Sequence, residues 1–247
     1  KFVSNVPITQ FYKLAVDDAA PFYNIFGGTQ DNNTQGGPSR TLRREGITNS
    51  DWYVLLGGDG HQPATEPNNP NIVYAQSQEG YLNRIDRTTG EVVNIRPQEE
   101  IDEPYERFNW DSPILVSYHD PQTIYFASQR LWKSTNRGDS WTPISNDLTK
   151  NEERFSLPIM GRVQSIDNAW DVYAMSTYNT ITSISESKLD SNIIYVGTDD
   201  GIIQFTKDGG NQWTKMTVDQ LPKTPSSAFV NDIKTDLFDS NKAYICL

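Results

Sequence analysis

Cysteine is nearly absent. Cys246 stands alone in 247 residues, which excludes an internal disulfide. Histidine is scarce as well. His61 and His119 sit at no metal-ligand spacing, so no metal centre is expected. No apolar run approaches the ~20 residues of a membrane-spanning helix. Basic residues are few: 21 Lys and Arg face 32 Asp and Glu, a net charge of -11. That balance argues against nucleic acid or an anionic membrane surface as a partner, because both attract a basic patch. There is no nucleophile elbow, phosphate-binding loop or paired-cysteine motif, so no cofactor is expected.

What the chain does have is repetition. Four segments share an apolar residue, an aromatic, two spacers, Ser or Thr, then Gln or Asp. They are Ile25–Gln30, Val73–Gln78, Ile124–Gln129 and Ile194–Asp199, and a fifth opens at Ala243-Tyr244-Ile245. The aromatics stand at 26, 74, 125, 195 and 244, so the steps are 48, 51, 70 and 49. A period of ~45–50 residues is that of one four-stranded propeller blade. The long step implies an insertion of about 20 residues relative to that period.

Alternating apolar and β-branched runs mark strands, and Asp, Asn, Pro and Gly clusters mark turns. The expected fold is all-β: a β-propeller of four-stranded antiparallel blades, about four and a half of them present. The expected blades are 10–56, 59–97, 113–145, 181–217 and 228–247, with an insertion at 146–180. The third strand of the first blade is expected near Thr41–Arg44, and a short helical turn at Asp147–Glu153. A propeller closes its ring, and the fifth repeat is short. The chain is therefore expected to pair with remaining blades or domains of a longer protein.

Two octapeptides share a further pattern: Ser134–Trp141 and Thr206–Trp213. Each has a hydroxyl residue, Asn or Asp two later, Gly two after that, and Trp three further on. The amide or carboxylate accepts main-chain N–H bonds, and the Gly takes a positive φ. The Trp is expected to be buried between neighbouring sheets. The hairpin Asp86–Glu91 keeps the turn chemistry but lacks the Trp. This pattern resembles the Asp-box of β-propellers, a structural device that performs no chemistry.

The resemblance widens to a family. Gly27–Asn33, Gly58-Asp59-Gly60, Arg107–Trp110, Lys133–Trp141 with Ile144–Thr149, and Gly197–Gly201 are similar to large bacterial propeller proteins. These are the sortilin-like or glycosyl-hydrolase-like proteins with Asp-box (BNR) repeats, common in Bacteroidetes. The resemblance covers nearly the whole chain. It implies the propeller fold and an extracytoplasmic location (periplasm, cell surface or secreted). It implies no single activity.

Propeller ligand sites commonly lie at the face carrying the loops between second and third strands and between blades. Here those loops hold Asp59, His61, Tyr105, Arg107, Asn109, Trp110, Asp111 and Trp170. The candidate ligand-binding residues are Gln30, Asp31, Asn32, Asp59, His61, Arg107, Asn109 and Trp110. Arg can bond a carboxylate bidentately, and Trp can stack on a sugar or peptide group. The other reading of the repeated Ser/Thr-Gln/Asp pairs is that they cap strand ends.

Two functions remain open. One is a binding or scaffold module recognising a protein or glycan partner. The other is a xyloglucanase-like glycoside hydrolase using paired carboxylates, with Asp59, Asp199 and Asp31 as catalytic candidates. The xyloglucan-cleaving family resembles the chain at Gly57–Gly60 and Ile72–Tyr81, and carries a catalytic Asp in a Thr-Asp pair. Ser77-Gln78 stands there instead, and Gln cannot transfer a proton. Thr198-Asp199 keeps the pattern. The arginine motif of sialidases is missing from the first blade.

Overall fold

A computed structural model describes residues 9–159, 161–163 and 177–247. The chain divides into two compact units, Lys1–Arg96 and Pro97–Leu247. Among the described residues there is no α-helix, only short 3-10 turns.

The first unit holds two four-stranded antiparallel sheets. In the first, β1 (Leu14–Val16), β2 (Asn24–Gly28), β3 (Thr34–Pro38) and β4 (Tyr53–Leu56) pair in chain order. In the second, β5 (Ala64–Glu66), β6 (Asn69–Ser77), β7 (Tyr81–Asp86) and β8 (Glu91–Asn94) do the same. Arg87 crosses between these sheets. It donates to Asp17 at 3.2 Å and to the Pro70 carbonyl at 2.7 Å, and lies over the rings of Phe26 and Tyr53.

The third strand of the first sheet is Thr34–Pro38, not Thr41–Arg44. Gly36 and Gly37 hide it, because glycine weakens a strand pattern. Close approach of ring systems demands them. A Cβ at Gly36 would stand 2.9 Å from the Phe26 ring, and one at Gly37 2.6 Å from the Trp52 ring. The glycines let aromatic rings approach the strand where a side chain would collide with them.

The second unit begins with β9 (Ile114–Val116), β10 (Ile124–Ala127), β11 (Leu131–Ser134) and β12 (Thr142–Pro143). A small hairpin follows, β13 (Pro158–Ile159) with β14 (Arg162–Val163). Then come β15 (Ile181–Glu186), β16 (Ile194–Thr198), β17 (Ile202–Thr206) and β18 (Thr214–Thr217), and the pair β19 (Asp232–Thr235) and β20 (Ala243–Cys246). The β15–β18 sheet is covered on both faces. Ile194 and Val196 join Tyr125, Leu131 and Leu148 on one side. Ile193 and Tyr195 join Val230 and Ile233 on the other. Alternation along β16 thus feeds two cores.

Because β15 is buried throughout, its polar side chains need partners. Thr182 Oγ1 donates to the Val230 carbonyl at 2.6 Å, and Ser185 Oγ accepts the Thr235 N–H at 2.9 Å. Glu186 accepts from Ser117 Oγ, the Tyr118 N–H and the Tyr125 hydroxyl. Burial pushes the Tyr125 phenol well up, and the Glu186 charge adds to this.

Both octapeptides form the expected local bonds. Ser134 Oγ donates to Asn136 Oδ1 and accepts the Gly138 N–H; Asn136 Oδ1 also accepts the Ser140 N–H. Thr206, Asp208, Gly210 and Gln212 repeat this. The tryptophans differ from expectation: Trp141 and Trp213 are half-buried rather than buried. Each sits at a sheet's outer margin. Trp213 packs against the core cluster that includes Leu131 and Leu148, and its Nε1 donates to the Ile144 carbonyl at 3.1 Å. Trp213→Ala should therefore cost about 2–3 kcal/mol in urea unfolding, below the ~3–5 of a fully buried large aromatic.

No helical turn forms at Asp147–Glu153. The main chain there is committed elsewhere. Leu148 N–H donates to the Gln129 carbonyl, and the Leu148 carbonyl accepts from Gln204 Nε2.

Candidate functional site

The candidate residues fall in both units. In the first unit, segment 57–61 lies on the β2–β3 hairpin. Contact is so close that a Cβ at Gly28 would stand 2.3 Å from the main-chain nitrogen of His61. Gly60 N–H donates to the Thr29 carbonyl at 2.9 Å, and Gly58 N–H to Asn33 Oδ1 at 3.2 Å. Asp59 then accepts the Asp31 N–H at 2.8 Å. Asp31 and Asn33 both take a positive φ, 62° and 68°, which short amide and carboxylate residues tolerate best. His61 is fully buried, with the Tyr12 ring 5.0 Å away. It serves the packing of the loop and does not meet solvent.

Beside this loop a cleft of ≈ 470 Å³ opens. Gln10, Tyr12, Gln30, Asp31, Asn32 and Gln35 line it. The Tyr12 hydroxyl donates to Gln30 Oε1, and Gln35 Nε2 donates to the Asn32 carbonyl. The walls thus combine one aromatic ring with side-chain amides and a single carboxylate.

In the second unit, Arg107 is occupied by its own chain. Nη2 donates to Asp147 at 2.6 Å and to Thr149 Oγ1 at 3.3 Å, and Nε to the Asn179 carbonyl at 3.2 Å. The guanidinium clasps both ends of the insertion instead of offering a free fork. Asn109 is similarly engaged: Nδ2 donates to Thr180 Oγ1 at 2.8 Å, and Oδ1 accepts the Asp111 N–H. Trp110 is half-buried and Tyr105 exposed. Trp170 lies outside the described residues.

Thr180 links this network to Asp199. Its N–H and hydroxyl donate to the two carboxylate oxygens at 2.9 and 2.7 Å. Burial nonetheless dominates. Desolvation pushes the Asp199 carboxyl up to about 7, against the Thr180 hydrogen bonds and with help from Asp200. Asp200 accepts the Thr198 hydroxyl and the Lys150 N–H. Tyr178 is pushed up to about 12, first by burial and then by Asp200, Asp199 and Glu152. The Arg154 guanidinium lies 5.4 Å over its ring.

Sequence reading missed Asp147, Tyr178, Asn179, Thr180 and Glu106. Glu106 is fully buried and accepts from Ser128 Oγ, Arg130 Nε and Trp132 Nε1. A carboxylate beside Arg107 in a polar loop gave no periodic signal. The repeated pairs act mainly as caps. Thr29 Oγ1 donates to the Asn33 carbonyl, and Gln129 Oε1 accepts the Arg107 N–H. Gln30 differs in being exposed at the cleft.

Chemically, both clusters can present hydrogen-bonding groups and rings to a ligand. Asp199 can hold a proton near neutrality. The other carboxylates described accept bonds from their own chain.

No family model matches the chain, and no curated protein matches its sequence. Among solved structures, it is similar to an ancestral GH74 enzyme, with 16% identity and a TM-score of 0.48 over 76% of this chain and 22% of that one. It is also similar to an extracellular domain from B. thetaiotaomicron, described as that of a one-component system. There the identity is 10% and the TM-score 0.54, over 90% of this chain and 25% of that one. The chain thus spans a quarter or less of the length of either. The likeness is one of fold, and with the four-stranded antiparallel sheets it makes this an all-β chain of β-propeller blades.

Proposed function

We propose that the chain is an extracytoplasmic binding module that recognises a glycan or protein partner at its polar loop ends. The observation that carries this reading is the ≈ 470 Å³ cleft walled by Gln10, Tyr12, Gln30, Asn32 and Gln35. Amides donate and accept toward hydroxyls or peptide groups, and a tyrosine ring supplies an apolar platform. Asp31 adds one charge-assisted acceptor. Asp59 and His61 hold the loop from behind. In the second unit, Trp110 is the proposed contact, and Arg107 and Asn109 position the loop that bears it.

The test is retention on immobilised polysaccharides and peptides of wild type and three variants. Gln30→Ala with Asn32→Ala, and separately Trp110→Ala, should each reduce retention about tenfold, equivalent to ~1.4 kcal/mol. Asp59→Asn should reduce it about twofold at most, because no proton moves. Unchanged retention in the first two variants would sink the reading.

A second reading draws on Asp199, whose carboxyl sits near 7 and could act as the acid of a glycoside hydrolase. It requires a second carboxylate across a cleft. Loss of a measurable glycan-cleaving activity in Asp199→Asn, with retention intact, would replace binding by hydrolysis as the conclusion.

A further inference from the structure

A tryptophan recurs at one ladder position. Ile25, Ile124 and Ile194 stand opposite Gly37, Ser134 and Thr206. On the next strand Tyr53 pairs with Gly36, Thr142 with Lys133 and Thr214 with Phe205. One step back along that strand, Trp52, Trp141 and Trp213 therefore face Gly37, Ser134 and Thr206. The second sheet breaks the series. Val73 pairs with Ile85, and Ile85 with Val92. A valine stands where the other three sheets carry an indole.

Trp213 shows what that indole does. It reaches the sheet before its own, packs against the core that β10, β11, β15 and β16 share, and gives its N–H to the carbonyl of Ile144, just past β12. Where Val92 replaces it, a cleft of ≈ 480 Å³ is open between β4 and the β7–β8 hairpin. Its walls include Tyr53, Val54, Leu55, Ile85, Arg87 and Val92. Val92 is 50% exposed, Val54 59% and Tyr53 38%. The hairpins differ in the same sense. A Cβ at Gly210 would stand 2.7 Å from the Ile144 carbonyl oxygen, whereas one at Gly90 would meet nothing within 4 Å.

We propose that this groove docks an aromatic side chain, tryptophan above all, carried on a loop or peptide of a partner protein. The occupant is argued from the chain's own use of the equivalent space, where an indole fills the groove and bonds an outer-strand carbonyl. Arg87 strengthens the case. Its guanidinium is fixed by Asp17 and the Pro70 carbonyl and lies 5.2 Å over the Phe26 ring and 5.8 Å over the Tyr53 ring, so a ring entering the groove meets a cation already held in place at its wall. The site is separate from the amide-lined cleft and does not rest on the function proposed for it.

The experiment titrates the full chain into N-acetyl-5-fluoro-L-tryptophanamide and follows the fluorine line width by NMR. Saturable broadening in the millimolar range is expected. Val92→Trp fills the groove from within; it should weaken probe binding at least about tenfold and raise the melting temperature. Val92→Lys, at a half-exposed position that tolerates charge, should weaken binding as much and decides the matter if Val92→Trp does not fold. N-acetyl-leucinamide should compete about tenfold worse than the unfluorinated tryptophan amide. Absence of saturable binding, equal binding by Val92→Lys, or displacement by a glucose oligosaccharide would each overturn the proposal.

Discussion

Asp199→Asn should stabilise the protein by about 4 kcal/mol at pH 8 and by almost nothing at pH 4. The Asp199 carboxyl is held at about 7 in the fold, against an ordinary 3.8. Between those values the folded chain keeps a proton that the unfolded chain has lost. The group's stabilising contribution is complete below pH 4 and is lost as pH rises through 7. Above that, the fold carries a buried charge whose desolvation the Thr180 bonds offset only in part. The amide has the same shape, retains an acceptor for the Thr180 N–H, and never ionises. Urea unfolding of variant and wild type from pH 4 to 8 checks this, with the difference between them as the readout. Other carboxyls titrate the opposite way: Asp208 is held low by the Gln212 N–H and the Thr206 hydroxyl. They act equally in both proteins and cancel. A difference that stays flat across the range would refute the assignment.

Glu106→Ala should lower stability by about 3–5 kcal/mol, the usual cost of removing one partner of a buried ion pair. The carboxylate is fully buried, and Arg130, whose side chain is 13% exposed, loses its nearest counter-charge. Ser128 Oγ and Trp132 Nε1 lose their acceptor at the same time. For a chain of this size the melting midpoint should fall by roughly 10 °C. Glu103 also pairs with Arg130, at 2.8 Å, but at the surface. Glu103→Ala should leave the midpoint close to that of wild type. Equal effects from both substitutions would mean that solvent reaches Glu106 and that the pair is not buried.

The hairpins were legible because their chemistry is local. Ser134 with Gly138, and Thr206 with Gly210, bond across four residues. Such contacts need no knowledge of the rest of the fold. The apolar-aromatic pairs at Ile124-Tyr125 and Ile194-Tyr195 were legible too, since alternation sends successive residues to opposite faces. The third strand at Thr34–Pro38 was not. Its glycines answer to Phe26 and Trp52, and only packing brings those rings to that strand.

The site was harder to read for the same reason. Arg107 looked available because nothing near it in sequence could bind it. Its partners Asp147, Thr149 and Asn179 lie 40 to 72 residues away. The empty position at Val92 needed the register of all four sheets before it could be recognised as a gap. The amino-acid sequence by itself determined the repeat, its strand pairing pattern and its turns, which depend on periodicity and on bonds spanning a few residues. Which polar groups are spent internally, which carboxyl keeps its proton and where an indole is missing were decided by tertiary structure alone. Each of these depends on burial and on distances between segments far apart along the chain.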